Sequence, residues 1–366
     1  MAYINRDLSK ILIGNGTTWG TAADLTAANK GKLINGRLTY GAAGFGQFES
    51  DDIGFGNFLT EVKNLDLTVD VTFTCNLSHS NVWPQIAANV LGTDTAAPAE
   101  VNVGQGDYLH NLDLASSNDG KFQTLAYLIE DDYALELPSV KWHSFTMQSD
   151  VNRVGNFTAQ GIVRSIELQA VATNNAADII AGAYQGNYEG APLGTFTGTN
   201  HYFRLNAQAG GALSSSNDLQ IKYYTLSVTR PVDRGFYLQG GNSPYTNEPR
   251  QGEKTDVRFG IRFWKIDDAV RDWIADWKAG TELKGELFFD GSQIGTGANH
   301  SVKIQLPRLR PDENIPPGYD LPDKSFAEPE PGYRCMKATA APTGMTGVTN
   351  CLRMAVVTNR SVRYLN

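Results

Sequence analysis

One local plan occurs twice in this chain of 366 residues, in residues 69–93 and again in residues 257–281. Each copy has alternating apolar and polar residues, then an apolar stripe at helical spacing, then glycine. The copies are offset by 188 positions, the spacing between Thr93 and Thr281. The two-residue alternation of apolar residues in a strand and their 3.6-residue spacing in a helix both recur at this offset. This recurrence predicts one structural module that occurs twice. The identical pairs are Val69/Val257, Val82/Val270, Ile86/Ile274, Ala87/Ala275, Gly92/Gly280 and Thr93/Thr281.

The alternating segment in each copy predicts a strand buried on one face, followed by a helix packed across the sheet. We expect the first helix at about 81–91, with Pro84 in its first turn and Gly92 as its end. We expect the second at about 268–279, capped by Asp267 or Asp268. The stripes predicted to face the core are Val82, Ile86 and Val90 in the first helix, and Val270, Trp273, Ile274 and Trp277 in the second.

The rest of the chain favours strands. Its 37 glycines and recurrent Val, Ile, Thr, Tyr and Phe are typical of β-rich proteins. We therefore predict a mainly β fold of two tandem β-sandwich or small-barrel domains, each with one flanking helix and one long inter-strand loop. The first domain is expected at 1–185 and the second at 201–366, separated by a glycine-rich linker at 186–200. Leu306-Pro307 echoes Leu137-Pro138, and a proline-rich excursion at 311–334 is expected to lie outside helix and sheet.

Two long loops, at 42–62 and 231–253, hold equivalent positions before the alternating strands. Long loops in compact domains usually carry function. Aromatic side chains in such loops can stack on a sugar or a base, but they more often anchor protein contacts. The loop residues that we select as candidates for contacts between assemblies are Phe45, Phe48, Asp51, Asp52, Phe55, Phe58, Phe236, Tyr237 and Tyr245.

The net charge and the absence of known catalytic motifs exclude several classes of function. A net charge of −8 argues against a protein that grips nucleic acid by its phosphates. The five histidines lack metal-ligand spacing, and neither a nucleophile elbow nor a phosphate-binding loop is present. We therefore expect a protein that is not an enzyme, with no catalytic, metal or cofactor site, and no run of membrane-spanning length.

Three cysteines do not make a disulfide framework. Cys75 is expected to be a small buried hydrophobe. The sequence leaves open whether Cys335 and Cys351 pair, and a reduced pair is favoured.

The segment ILIGNGTTWGTA at residues 11–22 gives an apolar strand and a Thr-Thr-aromatic-Gly-Thr turn. With the repeated module, LPSVKWHSFTM at 137–147 and IVRSIEL at 162–168, it resembles the tail tube proteins of long-tailed bacteriophages in their two-domain form. The linker and the proline-rich excursion depart from that pattern.

The resemblance implies a structural virion protein, assembled in the host cytoplasm, that forms trimeric, pseudo-hexameric rings. Such rings join their sheets into an inner barrel and stack into a tube through the two long loops. The implied partners are other copies of the chain, the tape measure, terminator and distal tail proteins, and double-stranded DNA passing through the lumen without specific binding. The net negative charge suits a lumen that repels DNA phosphates, and it equally suits ordinary solubility. The alternatives are another tail component, such as a terminator or baseplate protein, and a carbohydrate-binding tandem β-sandwich protein.

Overall fold

A computed structural model describes residues 11–25, 32–33, 37–40, 44–50, 61–78, 82–129, 133–150, 155–168, 201–235, 247–263, 268–312 and 330–365. The predicted mainly β fold is confirmed, since strands and only two α-helices make up the regular structure of these residues, apart from one short 3-10 turn. The first half contains β1 (Ile11–Asn15), β2 (Lys32–Leu33), β3 (Arg37–Tyr40), β4 (Gly44–Ser50), β5 (Glu61–Asn76), α1 (Trp83–Leu91), β6 (Ala99–Glu100), β7 (Tyr108–Asp113), β8 (Gln123–Ile129), β9 (Tyr133–Asp150), β10 (Asn156–Val163) and β11 (Glu167–Leu168). The second half contains β12 (Tyr202–Ala207), β13 (Ile221–Thr229), β14 (Val232–Asp233), β15 (Arg250–Gln251), β16 (Asp256–Phe263), α2 (Asp268–Ala279), β17 (Leu283–Gln293), β18 (Asn299–Pro311), β19 (Gly332–Cys335) and β20 (Arg353–Thr358).

The two halves share one strand order. In the first half, antiparallel pairing runs β1–β8–β9–β10–β5–β3. In the second half it runs β12–β17–β18–β19–β16–β13, with every pair again antiparallel. The equivalent elements also follow the same order along the chain, with each helix directly after β5 or β16. The repetition seen in a short stretch of sequence therefore extends to six strands and a helix in each half.

The two Leu-Pro pairs mark one repeated irregularity. Leu137 pairs with Leu125, and the next paired residue of β9 is Val140. In the same way, Leu306 pairs with Gly285, and the next paired residue of β18 is Leu309. Proline has no N–H for the ladder, so a bulge is one of the few places where a strand accepts it. The strands thus continue through Pro138 and Pro307.

The helices lie close to their predicted positions. Helix α1 begins at Trp83 rather than 81, with Val82 as its N-cap, and all nine of its residues are buried. It ends at Gly92, whose φ of 89° is the left-handed conformation that glycine adopts easily. Helix α2 spans Asp268–Ala279 as predicted. Of the predicted core stripes, four residues are buried: Val82, Ile86, Val90 and Trp273. Ile274 packs against the core, and Trp277 is half-buried and donates from Nε1 to the Asp312 carbonyl at 3.1 Å. The side chain of Val270 lies outside the described residues.

A single cluster of buried apolar side chains runs through both halves, from Val71 and Phe145 to Leu226 and Phe259. Cys75 and Cys335 belong to it, and both of these thiols and that of Cys351 are free. Burial raises the pKa of the Cys75 thiol far above its ordinary value, as expected for an unreactive core cysteine. The domain limits stay a prediction, because 169–200, which includes the linker at 186–200, lies outside the described residues.

Three segments predicted to be irregular are partly strand. Within 42–62, β4 pairs with the first part of β5, from Gly44 opposite Thr68 to Ser50 opposite Glu61. Within 231–253, β14 pairs with β15, so each long loop rises from a paired stem. The proline-rich excursion is also shorter than predicted, since Pro311 is the last residue of β18 and pairs with Tyr333 of β19. A proline at the end of a strand costs little because its missing N–H is at the margin of the ladder.

Candidate assembly surfaces

The two halves meet along an unbroken sheet. Strand β9 is long enough to take two partners on one edge, β8 along its first part and β13 along residues 144–150. Its other edge pairs with β10. Eight strands therefore follow one another by direct pairing, in the order β3–β5–β10–β9–β13–β16–β19–β18. The first four belong to the first half and the last four to the second.

Arg230, which directly follows β13, links the second half to helix α1 of the first half by hydrogen bonds. Its Nε donates to the Val90 carbonyl at 2.6 Å, and Nη2 donates to the carbonyls of Leu91 at 2.9 Å and Ala115 at 2.6 Å. The last carbonyls of a helix lack partners within the helix and carry its negative dipole end, which suits a cation. Arg230 is fully buried, and burial lowers its pKa to about 10. The guanidinium thus supplies donors to α1 from the other half of the chain.

Lys141 makes a second link, in the opposite direction. Its buried Nζ lies 2.6 Å from Oε1 of Glu248 in the second half and donates to the Asn118 carbonyl at 2.5 Å. Gly120 donates its N–H to the same carboxylate oxygen at 2.7 Å. Burial lowers the pKa of Lys141, and the hydrogen bond and charge of Glu248 oppose that change. Glu248 therefore compensates a lysine that the fold has removed from water.

A third link joins two segments that lie outside the repeated six-strand unit. These are 93–122, between α1 and β8, and 336–365, after β19. They pair with each other through β7 and β20, and β20 pairs on its other edge with β18. Arg353 and Asp113 form a two-bond ion pair across β7 and β20, at 2.8 and 2.9 Å. We call this arrangement the C-terminal clasp.

The end of the clasp reaches strand β1. Asn15 Nδ2 donates to the Tyr364 carbonyl at 2.8 Å, and Tyr364 donates its N–H to the Asp94 carboxylate. His110 is fully buried, with Nδ1 3.3 Å from Asp94 Oδ1 and Nε2 2.8 Å from the Arg360 carbonyl. An Asp-His pair so enclosed orders the chain end and has no open side toward a substrate.

Strand β3 presents an edge that its counterpart has filled. In β13, Tyr224 pairs with Ile261 on one side and with Ser149 of β9 on the other. In β3, Leu38 pairs with Phe73, the residue equivalent to Ile261 at the offset of 188. Among the described residues, no strand pairs with the other edge of β3. The first half thus offers an unpaired edge at the place where the second half receives β9.

The loop residues selected from the sequence are only partly placed. Phe45 and Phe48 lie in β4, where the structure describes the backbone pairing and not the side chains. The remaining selected residues lie outside the described residues; they are Asp51, Asp52, Phe55, Phe58, Phe236, Tyr237 and Tyr245.

Sequence reasoning missed Arg230, Lys141 and Glu248. A single sequence does not distinguish a charged residue that is buried, or that pairs with a buried charge, from an ordinary surface charge.

Among the residues that the structure describes, no three His, Cys, Asp or Glu side chains lie together as metal ligands. Neither described helix has the length and apolarity needed to cross a membrane. Comparison with protein-family models and with curated proteins finds no match to this chain.

Proposed function

We propose that this chain is the structural subunit of a hollow tube, made of stacked rings that each contain three copies. In this proposal the protein is not an enzyme, and its partners are further copies of itself and the proteins at the two ends of the tube. The tube is a bacteriophage tail tube that takes its place in the virion and conducts double-stranded DNA. The three-copy ring follows from the resemblance to two-domain tail tube proteins together with the repeated six-strand unit.

The observation that carries the proposal is the contact between equivalent halves through non-equivalent edges. The first half contributes β9, and the second contributes β13, whose counterpart is β3. Such a head-to-tail contact leaves the β3 edge of the first half available for the same contact with another chain. Repeating it from chain to chain either closes a ring or continues as a helix.

The edge of β3 at which no described strand pairs supports the same assembly. An exposed strand edge invites pairing, and proteins normally cover or blunt it. A neighbouring copy that brings its second half to this edge would repeat the junction already present inside the chain. Three chains joined in this way contain six equivalent units, and three copies of the eight-strand sheet would form one continuous wall.

The test is the size and shape of the purified protein. Three chains of 39.9 kDa give a closed ring of about 120 kDa by mass photometry, and negative-stain microscopy should show annular particles and hollow filaments of even width. A protein that stays monomeric at every concentration and ionic strength tried would overturn the proposal. A monomer that binds an immobilised glycan would favour the carbohydrate-binding alternative.

A further inference from the structure

One face of the eight-strand sheet is polar from end to end. A single row of directly paired residues crosses it, one from each strand, and all of them lie on the side away from the core. Its central members, from both halves, carry hydroxyl groups, and arginines lie at its two ends, one in the first half and three in the second. In order, its members are Arg37, Thr74, Thr158, Thr146, Ser227, Arg258, Arg334 and Arg310.

The adjoining rows have the same character. One contains Thr39, Thr72, Gln160, Ser144, Thr229 and Asp256, and the other contains Asn76, Asn156, Gln148, Thr225, Gly260 and Gly332. The residues between these rows, among them Phe73, Phe145, Leu226 and Phe259, are buried on the opposite side. One side of the sheet therefore packs against the core, and the other side is polar. The polar side continues across the junction between the two halves.

Three arginines of this face, Arg258, Arg334 and Arg262, are matched by acids. Arg258 Nε lies 2.7 Å from Asp256 Oδ2, and Arg258 Nη1 lies 3.4 Å from Asp312 Oδ2. The other oxygen of Asp312 lies 3.7 Å from Arg334 Nε. One row beyond that of Thr225 and Gly260, Arg262 forms an ion pair with Glu330 and lies over the ring of its pairing partner Tyr223. Two carboxylates thus hold Arg258 and Arg334, and a third holds Arg262.

Resting on the proposed function, we infer that this face lines the channel, and that its carboxylates keep Arg258, Arg334 and Arg262 from holding duplex DNA as it passes. The alternative lining, by the opposite side of the sheet, is excluded by the core that occupies it. A phosphate backbone is attracted to unmatched Lys and Arg, and each contact made adds to affinity and salt dependence. An acid at hydrogen-bond distance turns an isolated positive charge into a dipole, whose field falls within the screening length of about 8 Å. These three arginines are thus expected to add little to the attraction between the channel and passing phosphates.

The first test locates the face in the assembly. Single cysteines at Thr225→Cys and Thr158→Cys place a thiol on the polar face of each half, and Asp272→Cys places one on the exposed side of α2. Each variant is treated, as separate subunits and as assembled tubes, with a bulky polyethylene-glycol maleimide and with N-ethylmaleimide. The parent chain, treated in the same way, gives the background modification of the three native cysteines. The small reagent should modify all three engineered sites in both states.

Assembly should protect Thr225→Cys and Thr158→Cys from the bulky reagent while Asp272→Cys still reacts. Equal modification of all three sites in tubes verified by microscopy would overturn the lumen assignment and leave the tube intact. The absence of rings and tubes in the parent protein would overturn the proposed function, and the lumen assignment with it.

The second test removes the matching acids. The variant Asp256→Asn/Asp312→Asn leaves Arg258 and Arg334 without their carboxylates, and Asp218→Asn/Asp272→Asn makes the same change in charge elsewhere. Binding of a short duplex DNA is followed by fluorescence anisotropy over a range of salt. The first variant should bind where parent and control do not, with a log–log salt slope steeper by about two, from two new phosphate contacts. A first variant that binds no better than the control would overturn the charge-matching role.

Discussion

Lys141 Nζ and Glu248 Oε1 lie 2.6 Å apart, in a contact between the two halves of the chain that leaves the lysine side chain with no solvent exposure. Glu248 is about a quarter exposed. The pair therefore combines a buried cation with an anion that water still reaches. Removing the carboxylate leaves a buried charge uncompensated, which is the costly way to break an ion pair.

Glu248→Gln should therefore lower the free energy of unfolding by on the order of 2 kcal/mol at neutral pH, less than for a fully buried pair. Because Glu248 raises the pKa of Lys141 against the lowering effect of burial, its contribution is present while the lysine is charged. It is lost as pH rises through the folded-state pKa toward the ordinary value of 10.5. Urea unfolding of both proteins from pH 7 to pH 10.5 measures the difference, which should shrink with rising pH.

Asp218→Asn is the matched control for that series. It breaks the exposed Arg204–Asp218 pair, and a change below about 1 kcal/mol is expected. A pH-independent loss in Glu248→Gln would show that the carboxylate acts only as a hydrogen-bond acceptor for Gly120.

Arg230→Met should be among the most destabilising single changes in the chain. It leaves the buried carbonyls of Val90, Leu91 and Ala115 without this donor, at a cost on the order of 3 kcal/mol. Arg230→Lys should rescue little, because an ammonium lacks the planar fork that reaches three carbonyls at once. Chemical denaturation is the measurement, and Arg334→Met, with about half of its arginine side chain exposed, is the control. A Lys variant as stable as the parent would contradict this role.

Tyr40→Pro should prevent ring formation without unfolding the subunit. Leu77 of the β5 segment donates its N–H to the Gly155 carbonyl next to β10, so the odd-numbered residues of this part of β5 bond toward β10. Tyr40 pairs with Val71 of β5 and therefore directs its own N–H toward the other edge of β3, where no described strand pairs. Proline is tolerated on an edge strand but blocks the pairing of a further strand. Mass photometry should show monomers in place of rings, with an unchanged circular dichroism spectrum. The control is Ala212→Pro in an exposed loop, and rings of parental abundance in Tyr40→Pro would contradict the role of this edge.

Replacing residues 51–60 by Asn-Gly should leave rings that no longer stack. Ser50 and Glu61 are direct partners across β4 and β5, so a two-residue turn closes the hairpin without changing its register. Negative-stain microscopy should show single annular particles and few filaments. A Gly-Ser segment of the original length is the control, since it separates the length of the loop from its side chains. Filaments of normal length in the Asn-Gly variant would contradict the stacking role.

The sequence supports the prediction of the repeated unit because its signals are local. Alternation in residues 65–75 and 257–263 and the apolar stripes before Gly92 and Gly280 each depend on neighbours in the chain. The same reasoning failed where tertiary pairing overrides a local signal. Proline favours the end of a strand, yet β9 continues through Pro138 because a bulge absorbs the missing donor. Residues 44–50 looked like loop because of their glycines, and β5 pairs with them nonetheless.

The links between the halves were beyond the reach of sequence reasoning. Arg230 follows a strand and precedes a proline, a position where a charged residue is normally exposed. Its burial depends on carbonyls that lie far earlier in the chain. The partner of β7, likewise, is β20, and nothing in either segment indicates the other.

The C-terminal clasp makes the first half depend on residues that are synthesised much later. Asp113 pairs with Arg353, and Asn15 donates to Tyr364. A growing polypeptide must therefore leave β1 and β7 without these contacts until residues 353–364 have left the ribosome. Contacts at such long range slow folding and expose unfinished edges in the meantime. The first half of the chain is in this way fully stabilised only after the second half has been made.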